Sequence, residues 1–507
     1  MTPLSRRIPR QTQSKALRLA DLPFGEWLPD LAAYENPGCL EALNVLPALD
    51  GYKPLPNITS VSDALDARCQ GAAAAQDAAG NVDVVAGDAS KLYLLKAQTF
   101  SDASKAGGYT TPVDAQWEFA LFGDKFIATN FTDPIQAITL SGSTFADLIS
   151  SSLKPKAKHL AIVRDHLILG NTNDGTDGHK PNRVFFSALN DATDFDPSAT
   201  TLADFQDIPD GGAIEKVIGG VEYGLIFQER SISRMTFVGS PLVFRFDKID
   251  RRRGTPIPGS VVEHGRMVFF ISEEGFFYND GTRSVPIGQN KVDQTFWNQF
   301  DIANKSRVTS AIDPINKVCV WAFPGTGNSN GTPNKLFFYD YMNGRWSQGE
   351  INTEIVLRTL NQGFTLEQLD TFGNLDALAY SLDSRAWTGG EFKLGAFDTS
   401  HRLNFFTGSN LAATLETSER DLETRSKLRG LYPIVDGGTV TASVASRARI
   451  MDSVASFPTA VAVNSTNGMT PFISEGRYHK AQVKVAAGGT WTRAKGVKLM
   501  GAPTGKK

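Results

Sequence analysis

The sequence contains few of the residues and motifs by which enzymes and metal sites are recognised. Its 507 residues include only three cysteines, Cys39, Cys69 and Cys319. Their number and wide spacing predict neither a disulfide framework nor a zinc site. Cys319 lies in the apolar run VCVWAF and is expected to be a buried free thiol. A reducing folding compartment is the simplest inference.

Motifs for catalysis are also missing. The chain contains no HExxH, GxSxG, P-loop or dinucleotide fingerprint, and no Asp-box of the sialidase propellers. His159 and His166 lie at opposite ends of one predicted hairpin, which favours structural roles over metal binding. The loop NTNDGTDGH, from Asn171, lacks the carboxylate spacing of a calcium loop. These absences argue against an enzyme without excluding one, and they argue against a metal site.

Long apolar runs and an excess of one charge are likewise absent. No run approaches the 18 or more residues of a membrane span, and the basic start has no apolar segment behind it. We therefore expect no membrane insertion and no secretory signal. The net charge is −3 with 21% charged residues, which argues against a protein that coats nucleic acid broadly. A local basic patch remains compatible with this balance.

Glycine and phenylalanine are abundant, at 46 and 32 residues. Glycine supplies turn dihedral angles and aromatic residues fill pleated surfaces, so the counts predict an all-β protein. The stretch GRMVFFISEEGFFYNDGTRSVPIG, from Gly265, alternates apolar runs with tight turns. Similar stretches recur with first turns near residues 80, 124, 165, 223, 265 and 316, a spacing of roughly 40–60 residues. This period favours a β-propeller, with a long stack of sandwiches as the alternative.

Three regions depart from the repeat. Residues 1–60 are rich in proline and predict an extended N-terminal arm. Residues 61–409 predict the propeller, with a short helical insertion near 365–382, where Leu366, Leu369 and Phe372 have i, i+3 spacing. Residues 410–507 alternate polar and apolar residues with period two, which predicts a separate C-terminal β-sandwich, or platform, domain.

Charged clusters are the remaining candidates for a functional surface. Two basic clusters are candidates for contacts with phosphate or with an acidic protein partner: Arg251, Arg252 and Arg253, and Lys154, Lys156 and Lys158. An acidic stretch is a candidate for binding a cation or for a negative rim that repels a passing polyanion: Asp194, Asp196, Asp204, Asp207 and Asp210. Solvated turns and loops are the simpler interpretation of the lysines and of the acidic stretch. For the arginines, a functional contact and a solvated charged turn are equally favoured.

Several stretches, taken in order, resemble a known family. They are FGEWLPDLAAYENPGCLEALNVLPALDGYKPLP, FALFGDKFIATNFTDPIQ, VGSPLVFRFDKIDRRRGTPIPGSVV, FFISEEGFFYNDG, AIDPINKVCVWAFPG, PNKLFFYDYMNGRWS and SLDSRAWTGG. From about Phe24 to the C-terminus the chain resembles the tail nozzle proteins (tail hub, or packaged-DNA stabilisation proteins) of short-tailed bacteriophages.

The resemblance implies a structural protein of the virion tail, assembled in the host cytoplasm. It implies a homohexameric ring that docks on an adaptor, or head-to-tail connector, protein. The ring would extend the channel for double-stranded DNA, help to retain and release packaged DNA, and offer surfaces to tail fibre or spike proteins. It implies no enzymatic activity, no catalytic residue and no cofactor. With such a ring, acidic or neutral loops are expected toward the channel, and the arginine triplet is expected at a subunit or adaptor interface. The alternative is a propeller that binds or cleaves host surface glycan.

Overall fold

The computed structural model describes residues 18–77, 80–96, 98–362, 381, 390–454 and 456–504. Within them the chain divides into two compact units. One contains residues 18–42, 49–54 and 411–504, and the other contains residues 43–48 and 55–410. The expected helical insertion near 365–382 lies outside the described residues, except for Ser381.

The larger unit is a β-propeller, which confirms the predicted fold class. Six separate four-stranded sheets occur in its described part, and a further group of four strands, β26–β29, has the same consecutive antiparallel order. The first strands of neighbouring groups contact one another, as in β6 with β10, β10 with β14, and β30 with β6. The seven groups therefore surround a common axis as blades. Their strands are β5 (Thr59–Ala64), β6 (Gly71–Gln76), β7 (Val82–Gly87), β8 (Leu92–Lys96), β9 (Thr99–Asp102), β10 (Glu118–Phe122), β11 (Lys125–Thr129), β12 (Gln136–Thr139), β13 (Ala146–Asp147), β14 (Lys156–Val163), β15 (His166–Asp174), β16 (Gly178–Phe186), β17 (Asp204–Asp207), β18 (Ile214–Ile218), β19 (Tyr223–Gln228), β20 (Ile232–Gly239), β21 (Val243–Asp250), β22 (Val262–His264), β23 (Met267–Ser272), β24 (Gly275–Asn279), β25 (Ser284–Pro286), β26 (Thr309–Asp313), β27 (Val318–Phe323), β28 (Lys335–Asp340), β29 (Arg345–Gly349), β30 (Ile355–Leu360), β31 (Phe392–Phe397) and β32 (Arg402–Phe405).

Local turn chemistry explains why each blade is a chain of hairpins. Gly265 joins β22 to β23 with φ +62°, a left-handed conformation that glycine adopts without steric cost. Arg164 and Asp165 join β14 to β15 with φ of 41° and 58°, the pattern of a type I′ hairpin turn. The sequence predicted both turns. Short helices, α1 (Asp293–Gln299) and 3-10 turns at Pro258–Ser260 and Ile302–Arg307, lie between blades.

The propeller ring is closed by a strand from the beginning of the unit. Strand β5 precedes the first complete blade but pairs with β32, so that Ala64 lies opposite Arg402 and Thr59 lies opposite Phe405. The last blade therefore combines strands from both ends of the unit. Hydrophobic side chains fill the space between blades, as where Ile127 of β11 packs with Leu160 and Leu169 of the next blade. Cys319 is fully buried in β27, and burial raises its thiol pKa, as expected of a structural thiol.

The smaller unit is also all β. It contains β1 (Arg18–Pro23), β2 (Cys39–Leu43, which ends in the larger unit), β4 (Gly51–Pro54), β33 (Ala413–Thr417), β34 (Arg420–Val435), β35 (Val440–Arg447), β36 (Val461–Ala462), β37 (Thr470–Val485) and β38 (Ala494–Pro503), whereas β3 (Val45–Ala48) belongs to the larger unit. Strand β34 pairs with β37 and β38, and β37 pairs with β35. Ala481, Val483 and Val485 alternate toward the buried face of β37, as period two predicted.

The N-terminal boundary differs from the expected arm of residues 1–60. Strand β1 pairs with β38, and the Glu35 carboxylate accepts a hydrogen bond from the backbone N–H of Asp421 at 2.9 Å. The N-terminal residues therefore supply strands to the smaller unit, because β38 otherwise leaves backbone donors and acceptors unpaired at its edge. Residues 43–48 and 55–60 belong to the propeller instead.

A buried histidine makes the smaller unit sensitive to acid. His479 is fully buried, its Nδ1 accepts from Ser446 Oγ at 2.6 Å, and its Nε2 donates to the Gly476 carbonyl at 3.1 Å. Burial lowers its pKa to about 4. The unfolded chain, with an ordinary pKa of about 6.5, takes up the proton first as the pH falls.

We expect this unit to lose about 3 kcal/mol of stability from His479 between pH 6.5 and 4. Urea denaturation of wild type and His479→Gln at pH 7, 5.5 and 4 measures it. The variant has no imidazole to protonate at this position. The difference in free energy of unfolding between wild type and His479→Gln should therefore shrink as the pH falls from 6.5 to 4. A difference that is independent of pH would contradict the assignment.

Candidate functional site

The first strands of the blades surround a channel of about 850 Å³ through the larger unit. Its wall includes residues from β6, β10, β14, β18, β22, β26 and β30. Strand β6, in the run GAAAAQ, contributes the methyl groups of Ala72, Ala73 and Ala74. The charged side chains come from β10, β18, β22 and β30, of which β10 and β30 lie next to β6. The wall therefore combines an apolar stretch with charged side chains.

Three consecutive blades meet at one carboxylate in this wall. Glu118 Oε1, on β10, lies 2.8 Å from His159 Nδ1 of β14 and 2.8 Å from Lys216 Nζ of β18. The three side chains are 13%, 2% and 22% exposed. Burial alone would raise the pKa of Glu118, but the charges and hydrogen bonds of Lys216 and His159 lower it to about 2. Glu118 is therefore ionised, and it ties the three blades together.

Protonation of His159 is opposed by its surroundings. Burial lowers the His159 pKa, and the attraction of Glu118 only partly offsets that effect. Neutral His159 donates its Nδ1 hydrogen to Glu118, and its Nε2 has no hydrogen-bond partner among the described residues. The imidazole acts here as a neutral donor in the blade contact.

Two further charged groups line the channel. Glu263 lies on β22 and Arg358 on β30, and burial raises the pKa of Glu263 and lowers that of Arg358. The Arg358 guanidinium carbon lies 3.6 Å from the ring centroid of Phe392, a cation–π contact. Together with Glu118 and Lys216 they give the wall two carboxylates and two cations, so the charges of the wall balance.

The predicted lysines lie at the start of the third blade. Lys154 is exposed just before β14, and the Lys156 ammonium donates to the Thr132 carbonyl. Lys158 Nζ lies 3.4 Å from Glu215 Oε2 on the neighbouring β18. Lys156 and Lys158 thus interact with their own unit. Lys154 is exposed and makes no such contact with the described residues.

The predicted arginines follow β21, one blade away from the lysines. Arg251 and Arg252 are exposed, whereas Arg253 Nε donates to Glu274 at 2.8 Å and its guanidinium lies 5.1 Å from the ring centroid of Phe277. Arg253 therefore fastens the loop to the next blade. Arg251 and Arg252 are the members of the cluster that can meet a partner.

The predicted acidic residues lie outside the set that lines this propeller channel, and their expected position toward the DNA channel of a ring stays a prediction. They occupy the outer strand β17 and the loops beside it: Asp194, Asp196, Asp204, Asp207 and Asp210. Two of these carboxylates make hydrogen bonds to neighbouring parts of the same unit. Asp196 accepts from the backbone N–H groups of Leu153 and Ser152, which lower its pKa, and Asp207 accepts from Arg183 Nε at 2.6 Å. They are loop and edge residues, because the inner position of each blade is taken by its first strand.

The charged residues of the channel were not among the sequence candidates. Each is a charged residue within the first run of a repeat, among apolar neighbours, as in WEFALF, IEKVI, VVEHG and IVLRTL. In a propeller the first run of a repeat forms the inner strand. A charge at that position is therefore the sequence signal for a side chain that faces the axis.

Metal and membrane features are absent from the described residues. No group of three or more His, Cys, Asp or Glu side chains there could hold a metal ion. No helix of the described ranges is long and apolar enough to cross a membrane.

Comparisons with known proteins give only distant likenesses. No family model and no curated protein matches the chain. Among solved structures, the extracellular domain of the BT4673 one component system from B. thetaiotaomicron matches 69% of this chain at 10% identity and a TM-score of 0.39. This chain spans 40% of that protein's length. BamB from Moraxella catarrhalis matches 72% of this chain and 95% of its own at 12% identity and a TM-score of 0.35. The computationally designed Ika8 protein matches 70% of this chain and 99% of its own at 11% identity and a TM-score of 0.33. At such scores these likenesses bear on neither function nor partners.

Proposed function

We propose that this protein is a structural subunit of a ring at the distal end of a short phage tail. The observation that carries the proposal is the ordered resemblance to tail nozzle proteins over nearly the whole chain. In this proposal the ring, a hexamer, docks on an adaptor ring, continues the DNA channel, helps to retain and release packaged DNA and offers lateral surfaces to fibre or spike proteins.

The DNA would pass between copies and not through a single propeller. At about 3.4 Å per residue, an inner strand of five residues is roughly 17 Å long. Over that length, a space of about 850 Å³ for the centres of water molecules is roughly 8 Å across, so the bore between the walls is roughly 11 Å. The major groove of duplex DNA alone is about 12 Å wide. We therefore place the conduit among copies, with Arg251 and Arg252 at a subunit or adaptor interface.

Mass photometry of the purified chain, followed by negative-stain imaging of large species, tests the proposal. The expected result is a ring of about six copies with an axial hole, formed alone or after addition of the adaptor. The double variant Arg251→Glu/Arg252→Glu should weaken ring or adaptor binding at least tenfold, since a repelling charge replaces an attracting one. Arg245→Glu is the matched control, because Arg245 is also exposed but pairs with Asp247 of its own strand at 2.8 Å. A monodisperse monomer in the presence of the adaptor would contradict the proposal.

The alternative, a propeller that cleaves glycan, is less well supported. Glycosidases use two carboxylates that both face the substrate. Glu118 is engaged by Lys216 and His159, which leaves Glu263 as the available carboxylate of the channel wall. Release of sugar from host polysaccharide by the purified protein would favour this alternative.

A further inference from the structure

A second cavity, which we call the platform groove, lies within the smaller unit along the paired strands β34 and β38. Its volume is about 1010 Å³, at the upper limit of the roughly 300–1,000 Å³ that is usual for small-molecule sites. The pairing of the two strands shifts register beside the groove, between Ile434 and Val435. A bulge of this kind bends a strand, which is consistent with the concave surface found here.

Part of the groove wall is apolar. Five half-buried apolar side chains line it: Tyr432, Pro433, Ile434 and Val435 of β34, and Met500 of β38. Apolar surface inside a concavity can be removed from water by a ligand of matching shape, and this removal is favourable. The platform groove therefore favours a ligand that has an apolar body.

The rest of the wall is mainly cationic. It contains four basic side chains and one acidic side chain: Lys53, Arg493, Lys495, Lys498 and Asp436. The Asp436 carboxylate accepts hydrogen bonds from the backbone N–H groups of Thr492 and Arg493 at 2.8 and 2.7 Å, so it holds the loop before β38. An excess of positive charge in a concave wall attracts anions.

Two of the basic side chains already have a counter-charge, whereas Lys498 does not. Asp50 Oδ1 lies 3.1 Å from Arg493 Nη1, and Asp50 Oδ2 lies 2.6 Å from Lys495 Nζ. The Lys498 ammonium makes no hydrogen bond or ion pair with a described residue, although Asp21 of β1 lies opposite Lys498 in the sheet register. Lys498 can therefore bind an anion without losing a partner within the described part of the chain.

We propose that the platform groove binds a small amphiphilic carboxylate, with its carboxylate on Lys498 and its aliphatic chain against Tyr432, Ile434 and Met500. Lys498 lies opposite Tyr432 in the register of β34 and β38, and Met500 is two residues further along β38. The cation and the apolar surface are therefore adjacent, as such a ligand requires. Residues 1–17 contain four basic and no acidic side chains, so they do not offer the charge that this wall attracts. The proposal is independent of the ring proposal, since it concerns the smaller unit of a single copy.

Titration calorimetry of the full chain at pH 7 with three related probes tests the proposal. The probes are octanoate, octylamine, which keeps the chain but carries the opposite charge, and butyrate, which keeps the carboxylate on a chain of half the length. We expect octanoate to bind roughly tenfold more tightly than either of the others, since only octanoate provides both the charge and the apolar contact. Equal binding of octanoate and octylamine, equal binding of octanoate and butyrate, or no measurable binding of octanoate would overturn the proposal.

Variants identify which side chain binds which part of the ligand. Lys498→Gln should reduce the affinity for octanoate roughly fivefold or more, because it removes the charge that meets the carboxylate. Ile434→Ala should reduce the preference for octanoate over butyrate, because it removes apolar surface from the wall. Lys484→Gln is the matched control, since Lys484 is an exposed lysine on β37 of the same unit and is not part of the groove wall.

Circular dichroism and the melting temperature establish that each variant is folded. An equal loss of affinity in Lys484→Gln, or full affinity in Lys498→Gln, would contradict the assignment. Mass photometry of the same variants distinguishes a further occupant. If octanoate does not bind and Lys498→Gln changes the oligomeric state, the platform groove is a contact between copies of the chain and the proposal is wrong.

Discussion

Replacing Glu118 with glutamine is expected to lower the free energy of unfolding of the propeller by about 3 kcal/mol at neutral pH. The substitution removes the charge that Lys216 and His159 share at 2.8 Å and leaves the Lys216 ammonium 22% exposed without its counter-charge. Removal of one member of a buried ion pair is costly because the remaining charge stays desolvated. Because the three residues come from three successive blades, we expect the loss of stability to arise from weaker contacts between blades.

The sign of the pH dependence follows from the direction of the pKa shift. Glu118 has a pKa of about 2 in the folded protein, against an ordinary value of about 4.3 in an unfolded chain. The stabilising effect of Glu118 is fully present at pH values above its pKa in the unfolded chain, and it is lost as the pH falls toward its pKa in the folded protein. Guanidinium denaturation of wild type and Glu118→Gln at pH 7, 4 and 3 should show the difference shrinking with acid.

A neighbouring ion pair supplies the control. Glu215 pairs with Lys158 at 3.4 Å, but the Lys158 side chain is 42% exposed. Glu215→Gln should therefore cost less than about 1 kcal/mol, the usual value for solvent-screened pairs. If the two variants lose equal stability, or if the loss in Glu118→Gln persists unchanged at pH 3, then Glu118 is not the ionised centre of the cluster.

The propeller could be predicted from the sequence because its signals are local. Gly265 supplies the left-handed turn between two apolar runs, and Arg164 and Asp165 do the same between β14 and β15. Such hairpins depend only on neighbouring residues, so their pattern can be recognised even where the sequences of the repeats have little similarity. Strand β1 has no such local signal. Its residue Arg18 pairs with Met500 of β38, and no turn or spacing in the sequence indicates that these two residues pair.

The channel residues were missed for a related reason. Glu118 and Lys216 are 98 residues apart, and their contact exists only because the blades close into a ring. The acidic residues were noticed because they are clustered in sequence, yet Asp204 and Asp207 lie on an outer strand. Charged residues that lie close together along the chain indicate a loop or an outer strand. A shared position in successive repeats is the better guide to side chains that meet at the axis.

A second large effect is expected when Trp321 is replaced with alanine. Trp321 is fully buried on β27, its ring centroid lies 4.9 Å from that of Phe276 and 5.7 Å from that of Trp346, and its Nε1 donates to the Ser260 carbonyl at 2.9 Å. The change removes a large packed side chain and leaves a cavity in this aromatic cluster. We expect a loss of about 3–5 kcal/mol, toward the upper end because the Ser260 carbonyl also loses its donor.

Two other variants separate the sources of that loss. Trp321→Phe keeps most of the ring and removes the N–H, so it should cost roughly 1–3 kcal/mol. Trp297→Ala removes the same side chain from a half-buried position on α1 and should cost less than Trp321→Ala, because surface lost from a half-buried site leaves a smaller cavity. Guanidinium denaturation of the three variants measures the order. Should Trp321→Ala and Trp297→Ala prove equally stable, the aromatic cluster between β24, β27 and β29 would not be a principal source of propeller stability, and the contacts between blades would have to supply it.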